Sequence, residues 1–210
     1  MVNNYSRINF NFGPTLLSWM ESCAEETYHA ILEADKDSVI RFSGHGSAIA
    51  QCYSHMIMPL ASSRDKYTQV YWGIRDFEKR FKRIPEGMWL PETAVDNATM
   101  EIMSDLGIRY TVLAPSQVDR FKIPSQEDWR TTDSEAVDVS RPYAVRMASG
   151  KSMNVFFYDG PLSRSIAFEN LLQDGARFAR KLLDAFSSST ENVQLVSVAT
   201  DGETYGHHHK

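Results

Sequence analysis

Strand-like and helix-like segments alternate along the whole sequence, with no low-complexity linker and no repeat of fixed period between them. The strand-like patterns are rich in β-branched and aromatic residues and cover residues 7–12, 39–43, 87–92, 109–113, 143–147, 153–158 and 194–200. Successive parallel strands need crossover connections, and helices usually supply them. The alternation therefore predicts an α/β fold with parallel strands, in which about five or six such units fit a barrel better than an open sheet.

The helix patterns lie between these strands. A helix capped by Thr15 is expected to run to about Ala34, and another is expected to begin near Ala48. Apolar spacing and stop signals predict further helices over residues 64–81, 97–106 and 163–186. The strands 143–147 and 153–158 are predicted to form a hairpin. The polar stretch 116–140 is predicted to be a surface loop of functional length.

Composition excludes several classes of protein. The 42% hydrophobic content supports a packed core, and the net charge of −5 argues against nucleic-acid binding, which normally needs a basic stripe. The short basic run 79–83 is interpreted as the solvated end of a helix. No apolar run long enough for a membrane span and no signal-peptide pattern is present. Cys23 and Cys52 lie in helical patterns and far from a Cys-x-x-Cys spacing, which predicts buried free thiols and a reducing cytoplasm.

Ionisable residues follow four of the predicted strands. They are Gly44-His45-Gly46, Glu92, Asp159 and Asp201-Gly202-Glu203. In α/β barrels the chemistry lies at the C-terminal ends of the strands, so these groups are expected on one face. Glycoside hydrolysis needs two acids there, one to attack or stabilise the oxocarbenium-like centre and one to protonate the departing oxygen. Glu92 and Asp201 are therefore the catalytic candidates.

Each candidate also has a simpler interpretation. Glu92 could merely cap the helix that follows it, and Asp201-Gly202 could form an ordinary turn. Trp89 could form part of a sugar-stacking wall or pack in the core. His55 lies in apolar surroundings, where a lone histidine is more often a hydrogen-bonded core residue than a ligand.

Two blocks of sequence carry a specific likeness. Trp89-Leu90-Pro91-Glu92 after a strand and the block 201–207, Asp-Gly-Glu-Thr-Tyr-Gly-His, resemble the nucleophile and acid/base motifs of glycoside hydrolase family 57. The resemblance also runs through residues 10–16 and 44–47 and so covers essentially the whole chain. This family contains α-amylase-like and 4-α-glucanotransferase-like enzymes. Within it, the chain resembles a subgroup of bacterial proteins labelled α-amylase/α-mannosidase.

The resemblance implies a role for each residue. Glu92 would be the nucleophile and Asp201 the general acid/base of a retaining hydrolase or transglycosylase that acts on α-linked glucans. The two carboxyl groups should then stand roughly 5–5.5 Å apart. The residues expected to bind substrate are His45, His55, Trp89, Asp159, Glu203 and His207. The partner is an α-glucan or another oligosaccharide or polysaccharide, and no metal or cofactor is expected.

Family members have an incomplete seven-stranded barrel followed by a helical segment. The resemblance therefore implies a single catalytic domain over residues 1–210, an incomplete parallel (β/α)7 barrel with about strands 2–7 present. The first strand, with its His-Gln-Pro-type motif, is expected upstream of Met1, and the helical segment beyond Lys210. On this interpretation the chain is truncated at both ends.

Two rival functions stay open. A metal-dependent sugar deacetylase on a related barrel would use His45, Asp201 and His207 as ligands that activate water. A non-catalytic remnant would keep the sugar site without the chemistry. Activity that a chelator abolishes and zinc restores would favour the first rival, and sugar binding without product release the second.

Overall fold

A computed structural model describes residues 3–123, 127–132, 136–187 and 193–207. The helices are α1 (Pro14–Cys23), α2 (Glu25–Arg41), α3 (Ser63–Phe81), α4 (Asn97–Asp105), α5 (Gly160–Phe168) and α6 (Gly175–Asp184). The strands are β1 (Ala50–Gln51), β2 (Met88–Trp89), β3 (Tyr110–Leu113), β4 (Arg120–Phe121), β5 (Arg130–Thr131), β6 (Tyr143–Arg146) and β7 (Ser152–Phe157). The chain divides into two compact units, Met1–Thr111 with Ala144–Asn154, and Val112–Tyr143 with Val155–Lys210.

The first unit contains a row of parallel extended segments whose order follows the sequence. Phe10 forms a parallel bridge with Ala48, β1 pairs in parallel with β2, and Gly87 forms a parallel bridge with Tyr110. On the far side of the segment that contains Arg109 and Tyr110, the Asn154 N–H of β7 donates to the Arg109 carbonyl at 3.0 Å. The parallel α/β fold predicted from the sequence is confirmed.

Several predicted elements near the start of the chain differ from the structure. The first helix breaks at Ala24, whose φ of −145° is not helical, and α2 then continues to Arg41. Residues 39–41 are consequently the last turn of a helix, and the predicted strand 39–43 does not form. The helix expected from Ala48 is also wrong, since residues 48–51 are extended and contribute the bridge and β1. The predicted strand 7–12 is reduced to the single bridge at Phe10.

A buried ion pair explains why residues 48–51 are extended. The Asp35 carboxylate, 1% exposed, accepts from the Ala48 N–H at 2.8 Å and from Arg83 Nε and Nη2 at 2.9 and 2.8 Å. Arg83 Nη2 also donates to the Ala48 carbonyl at 2.8 Å. We call this group the Asp35–Arg83 clamp. It satisfies both backbone polar groups of Ala48, and a Cβ at Gly46 would lie 2.2 Å from Arg83 Nη2.

The prediction that the basic run is a solvated helix end is right for Lys79 and Lys82, which are exposed, and wrong for Arg80. Arg80 is only 6% exposed and donates to Asp76, Glu21 and Tyr28. Burial opposes the charge of Arg80, but these partners outweigh it and raise its pKa. Arg80 therefore connects α3 to α1 and α2.

The predictions for α3 and α4 are confirmed to within a residue or two. Ser62 caps α3 by accepting from the Asp65 N–H at 3.2 Å, and Asp96 caps α4 by accepting from the Thr99 N–H at 2.8 Å. Gly107 has a φ of +90°, the left-handed conformation expected of a glycine that ends a helix.

In the C-terminal part of the chain the predicted hairpin is confirmed. Strands β3, β7 and β6 form a sheet in that order, and the Met147 N–H donates to the Lys151 carbonyl at 3.0 Å in the β6–β7 turn. Within the predicted surface loop, β4 and β5 pair antiparallel, while residues 124–126 and 133–135 lie outside the described residues.

The predicted helix 163–186 is instead two helices, α5 and α6, separated by a turn at Leu171–Gln173. The predicted strand 194–200 has no sheet partner among the described residues. Its Val196 and Val198 side chains pack on the core residues Leu162, Ile166 and Leu171 of the second unit.

No helix in the described part of the chain has the length and apolar character needed to cross a membrane. The expectation that both cysteines are buried is right for Cys52 and wrong for Cys23, which is exposed at the end of α1.

Candidate active site

Glu92 lies in a strained turn directly after β2. Its φ of 55° and the φ of 53° at Thr93 put two successive non-glycine residues in the left-handed region. Each such residue costs on the order of 1 kcal/mol or more, and persists only when the surroundings fix it. Here the Thr93 N–H donates to the Leu90 carbonyl at 3.0 Å, and both of these residues are buried. The turn is therefore held from beneath, while the Glu92 side chain is exposed.

The Glu92 carboxylate pairs with a histidine, His55. His55 Nε2 lies 3.0 Å from Glu92 Oε1, and both side chains are 69% exposed. This exposure contradicts the interpretation of His55 as a core residue. Glu92 is not the cap of the next helix either, because Asp96 has that role. Both simpler interpretations are therefore wrong, and the pair faces solvent at the C-terminal ends of β1 and β2.

A buried lysine of α3 forms an ion pair with Asp96, which follows shortly after this turn in the sequence. Lys66 of α3 is 5% exposed and donates to the Asp96 carboxylate, which also accepts from the Thr99 N–H and hydroxyl. Burial opposes ionisation of Asp96, but the hydrogen bonds from Lys66 and Thr99 outweigh it and lower the pKa of Asp96. The pair fixes the N-cap of α4, four residues after Glu92.

Trp89 and His45 lie at different ends of the strands. Trp89 is half-buried in β2, three residues before Glu92 and in register with Gln51. His45 follows helix α2, not a strand, and its Nδ1 lies 2.8 Å from Glu86 Oε2, which precedes β2. The structure thus brings His55 to Glu92 and places His45 at the N-terminal ends of the strands.

In the second unit, Asp201 begins a short turn. The Thr204 N–H donates to the Asp201 carbonyl at 3.1 Å, and Gly202–Thr204 form one turn of 3-10 helix. Asp201, Glu203 and His207 are all exposed, whereas Thr204 is buried. Glu92 belongs to the first unit and Asp201 to the second.

Asp159 follows β7 as the sequence predicts, and it also caps the next helix. Its carboxylate accepts from the Leu162 N–H at 2.8 Å, at the start of α5. Its own N–H donates to the Ser197 carbonyl at 2.8 Å, so it contacts the segment that leads to Asp201. Sequence patterns alone did not indicate this contact, nor those of His55 with Glu92 and Lys66 with Asp96, because each joins residues at least 30 positions apart.

Across the ranges that the structure describes, no group of three or more His, Cys, Asp or Glu side chains is arranged to hold a metal ion.

A parallel α/β fold that presents a carboxylate–histidine pair at the C-terminal end of its strands is typical of barrel-related proteins with their functional groups on that face. The chain belongs to glycosyl hydrolase family 57, whose sequence profile matches residues 4–210. No curated protein sequence matches the chain significantly.

Solved structures share this fold. The chain is similar to a 4-alpha-glucanotransferase from Thermococcus litoralis, with 19% identity and a TM-score of 0.66 over 97% of this chain and 28% of the other. An exo-type maltose-forming amylase from Pyrococcus sp. ST04 gives 19% identity and a TM-score of 0.73, over 97% of this chain and 32% of the other. A family 57 branching enzyme from Thermococcus kodakaraensis gives 13% identity and a TM-score of 0.59, over 92% of this chain and 50% of the other. The chain thus spans half or less of the length of each of these structures.

Proposed function

We propose that the complete protein is a retaining glycoside hydrolase or transglycosylase that acts on α-linked glucans, with Glu92 as nucleophile and Asp201 as general acid/base. Family membership supports the reaction class. The names of the structural relatives, 4-alpha-glucanotransferase, maltose-forming amylase and branching enzyme, support an α-glucan as substrate. We also propose that residues 1–210 form one catalytic barrel domain of that protein.

One observation carries this proposal, the strained and exposed position of Glu92. Two left-handed residues destabilise the turn, whereas an exposed His–Glu pair contributes at most about 1 kcal/mol. Stability therefore does not account for the geometry. Strained backbone of this kind clusters at functional sites, where it fixes the direction of a reactive side chain.

The proposed reaction uses this geometry in two steps. In the first, a Glu92 carboxylate oxygen bonds to the anomeric carbon, the glycosidic C–O bond breaks, and Asp201 gives its proton to the departing oxygen. His55 holds Oε1, so Oε2 is the oxygen left to attack. In the second step, Asp201 takes a proton from water or a sugar hydroxyl as that oxygen attacks the anomeric carbon, and the Glu92 carboxylate leaves.

Replacement of the nucleophile tests the assignment directly. Glu92→Gln in the complete protein should lower kcat on an α-1,4-glucan by about a thousandfold or more without loss of fold, since an amide oxygen cannot form the glycosyl intermediate. Glu25→Gln is the matched control, because Glu25 is also an exposed partner of a histidine, His29, and both lie on α2, away from the predicted site residues in the sequence. A fluorinated glycosyl fluoride should label the peptide that contains Glu92. Undiminished turnover by Glu92→Gln would contradict the proposal.

The same preparation distinguishes the two rivals. A chelator should leave hydrolysis unchanged, while loss of activity that zinc restores would favour the deacetylase. Sugar binding without product release would favour a non-catalytic protein. Among the substrate-binding predictions, His55, Trp89, Asp159, Glu203 and His207 remain part of this proposal. His45 remains a prediction that its position at the N-terminal ends of the strands does not support.

We further propose that the protein works in the cytoplasm. Both cysteines are free. Burial raises the pKa of the Cys52 thiol to about 12, so it stays protonated and unreactive. Of these two cysteines, exposed Cys23 should therefore be the one that an alkylating reagent modifies in intact cells, and recovery of Cys23 as a disulfide would argue against a reducing compartment.

A further inference from the structure

The segment 193–200, which leads to Asp201, has no sheet partner among the described residues, yet its residues 196–200 are half-buried. Its position must therefore be set by contacts other than a strand ladder. Within the described ranges, three hydrogen bonds from other parts of the second unit reach its backbone. The Leu195 N–H donates to the Ser140 carbonyl at 2.8 Å, and the other two involve the first turn of α5.

Ser163 makes the contact that lies nearest to Asp201. Its hydroxyl accepts from the Ala199 N–H at 3.0 Å and donates to the Asp159 carbonyl at 2.7 Å. Because it acts as donor and acceptor at once, its orientation is fixed. Ser163 is 6% exposed, so water cannot easily replace it. Two residues earlier, the Ser197 carbonyl accepts from the Asp159 N–H at 2.8 Å.

These two contacts at alternate residues imitate one edge of a strand ladder. The first turn of α5 thus holds residues 197 and 199 in place of a neighbouring strand, and Val196 and Val198 pack on the core below it. We propose that Ser163 is a positioning residue that sets the place of Asp201 through the Ala199 N–H. This inference rests on the proposed role of Asp201 as general acid/base.

The expected effect follows from the step that Asp201 would perform. A displacement of about 1 Å of a catalytic group can cost on the order of a hundredfold in rate. Ser163→Ala should therefore lower kcat/KM for maltotetraose by about ten- to a hundredfold. Cleavage of maltotetraose releases a sugar alkoxide, and this leaving group needs the proton that Asp201 supplies. With α-maltosyl fluoride the leaving group is fluoride, which needs no proton. The kcat/KM of Ser163→Ala for this substrate should therefore stay within about twofold of the wild type. The ratio kcat/KM reports only the steps through bond cleavage.

A matched control lies on the same helix. Ser165 is similarly buried, at 7% exposed, but its hydroxyl donates to Glu169, the residue that caps the C-terminal end of α5. It therefore makes no bond to the segment before Asp201 in the described structure. Ser165→Ala in the complete protein should therefore behave like the wild type on both substrates. Amide exchange should also be faster at Ala199 in the Ser163→Ala variant than in the control. If Ser163→Ala does not fold, Ser163→Cys, whose thiol is a much weaker hydrogen-bonding group, gives the same comparison.

The outcomes separate the inference from the function on which it rests. Equal losses on both substrates, or no loss on either, would overturn the role of Ser163. An Asp201→Asn variant with full activity on maltotetraose would overturn the proposed function itself. Loss of activity in Asp201→Asn together with wild-type kinetics in Ser163→Ala would remove only the inference about Ser163.

Discussion

The Asp35–Arg83 clamp should decide whether residues 48–51 stay in the parallel sheet. Replacement of Asp35 by alanine removes the acceptor for the Ala48 N–H and for both guanidinium contacts. The Arg83 side chain is 19% exposed and would lose its carboxylate partner. The carboxylate lies in α2 and the Ala48 amide in the extended segment 48–51, so the variant also loses the link between the helix and this segment.

The magnitude follows from burial. Removal of one partner of a buried ion pair typically destabilises a protein by about 3–5 kcal/mol, because the remaining charge is left uncompensated. At about 1.4 kcal/mol for each factor of ten, this corresponds to roughly two to four orders of magnitude in the population of locally opened states. Asp35→Asn keeps one carbonyl acceptor for Ala48 but loses the charge, so its effect should be smaller.

Amide hydrogen exchange in the complete protein measures how often the segment 48–51 opens. The amides to follow are Ile49 and Ala50, whose ladder bonds to the Phe10 and Gly87 carbonyls the substitution does not remove. Glu78→Ala is the control, because it breaks an Arg–carboxylate pair on the surface of α3, where the expected loss is under about 1 kcal/mol. Unchanged protection of both amides in Asp35→Ala would refute the argument that the clamp holds this strand.

Two further changes test packing and charge. Gly73→Ala should destabilise the first unit by about 1–3 kcal/mol, because the new Cβ would lie 2.1 Å from the Gln51 carbonyl oxygen. Gly175→Ala is the control, since open space surrounds that position, and it should be neutral or stabilising. Thermal unfolding measures both variants. Since the pKa of Asp96 is lowered in the folded state, its contribution to stability is present above pH about 4 and lost as pH falls through the folded pKa. The Tm difference between the wild type and Asp96→Asn, which weakens the contact with Lys66, should therefore shrink in acid, and a constant difference from pH 7 to pH 3 would contradict this.

Local patterns were sufficient where an element carries its own signals. Helix α3 has a serine cap and an apolar stripe, α4 ends at a glycine, and the β6–β7 hairpin is joined by a turn that contains Gly150. Each of these was predicted because all of its determinants lie within a few residues. The parallel arrangement followed from the order of such elements and is confirmed.

The errors occur where distant side chains decide the conformation. Val39-Ile40-Arg41 has strand-like composition, but it continues a helix, and residues 48–51 are extended because Asp35 and Arg83 bond to Ala48. The segment 194–200 has the composition of a buried strand and is indeed half-buried, yet its hydrogen bonds go to α5 and to Ser140. Composition reports burial, and it does not report which partner satisfies the backbone.

In the candidate site, too, local motifs were predicted from the sequence, whereas contacts between distant residues were not. The motifs predict Glu92, His55 and Asp201 as candidates, and they give no sign that His55 and Glu92 are in contact. The buried Lys66–Asp96 pair and the Ser163 hydroxyl were missed, because an isolated lysine or serine in a helix has no sequence signature of its role. Such residues become visible only when the fold supplies their partners.

The strained turn at Glu92 and Thr93 has a consequence for protein engineering. Glycine or asparagine tolerates the left-handed region better than glutamate, so a library selected only for heat resistance would favour the loss of Glu92. Thermal tolerance and turnover are therefore opposed at this position. Stabilising substitutions are better sought in the scaffold around the turn than within it.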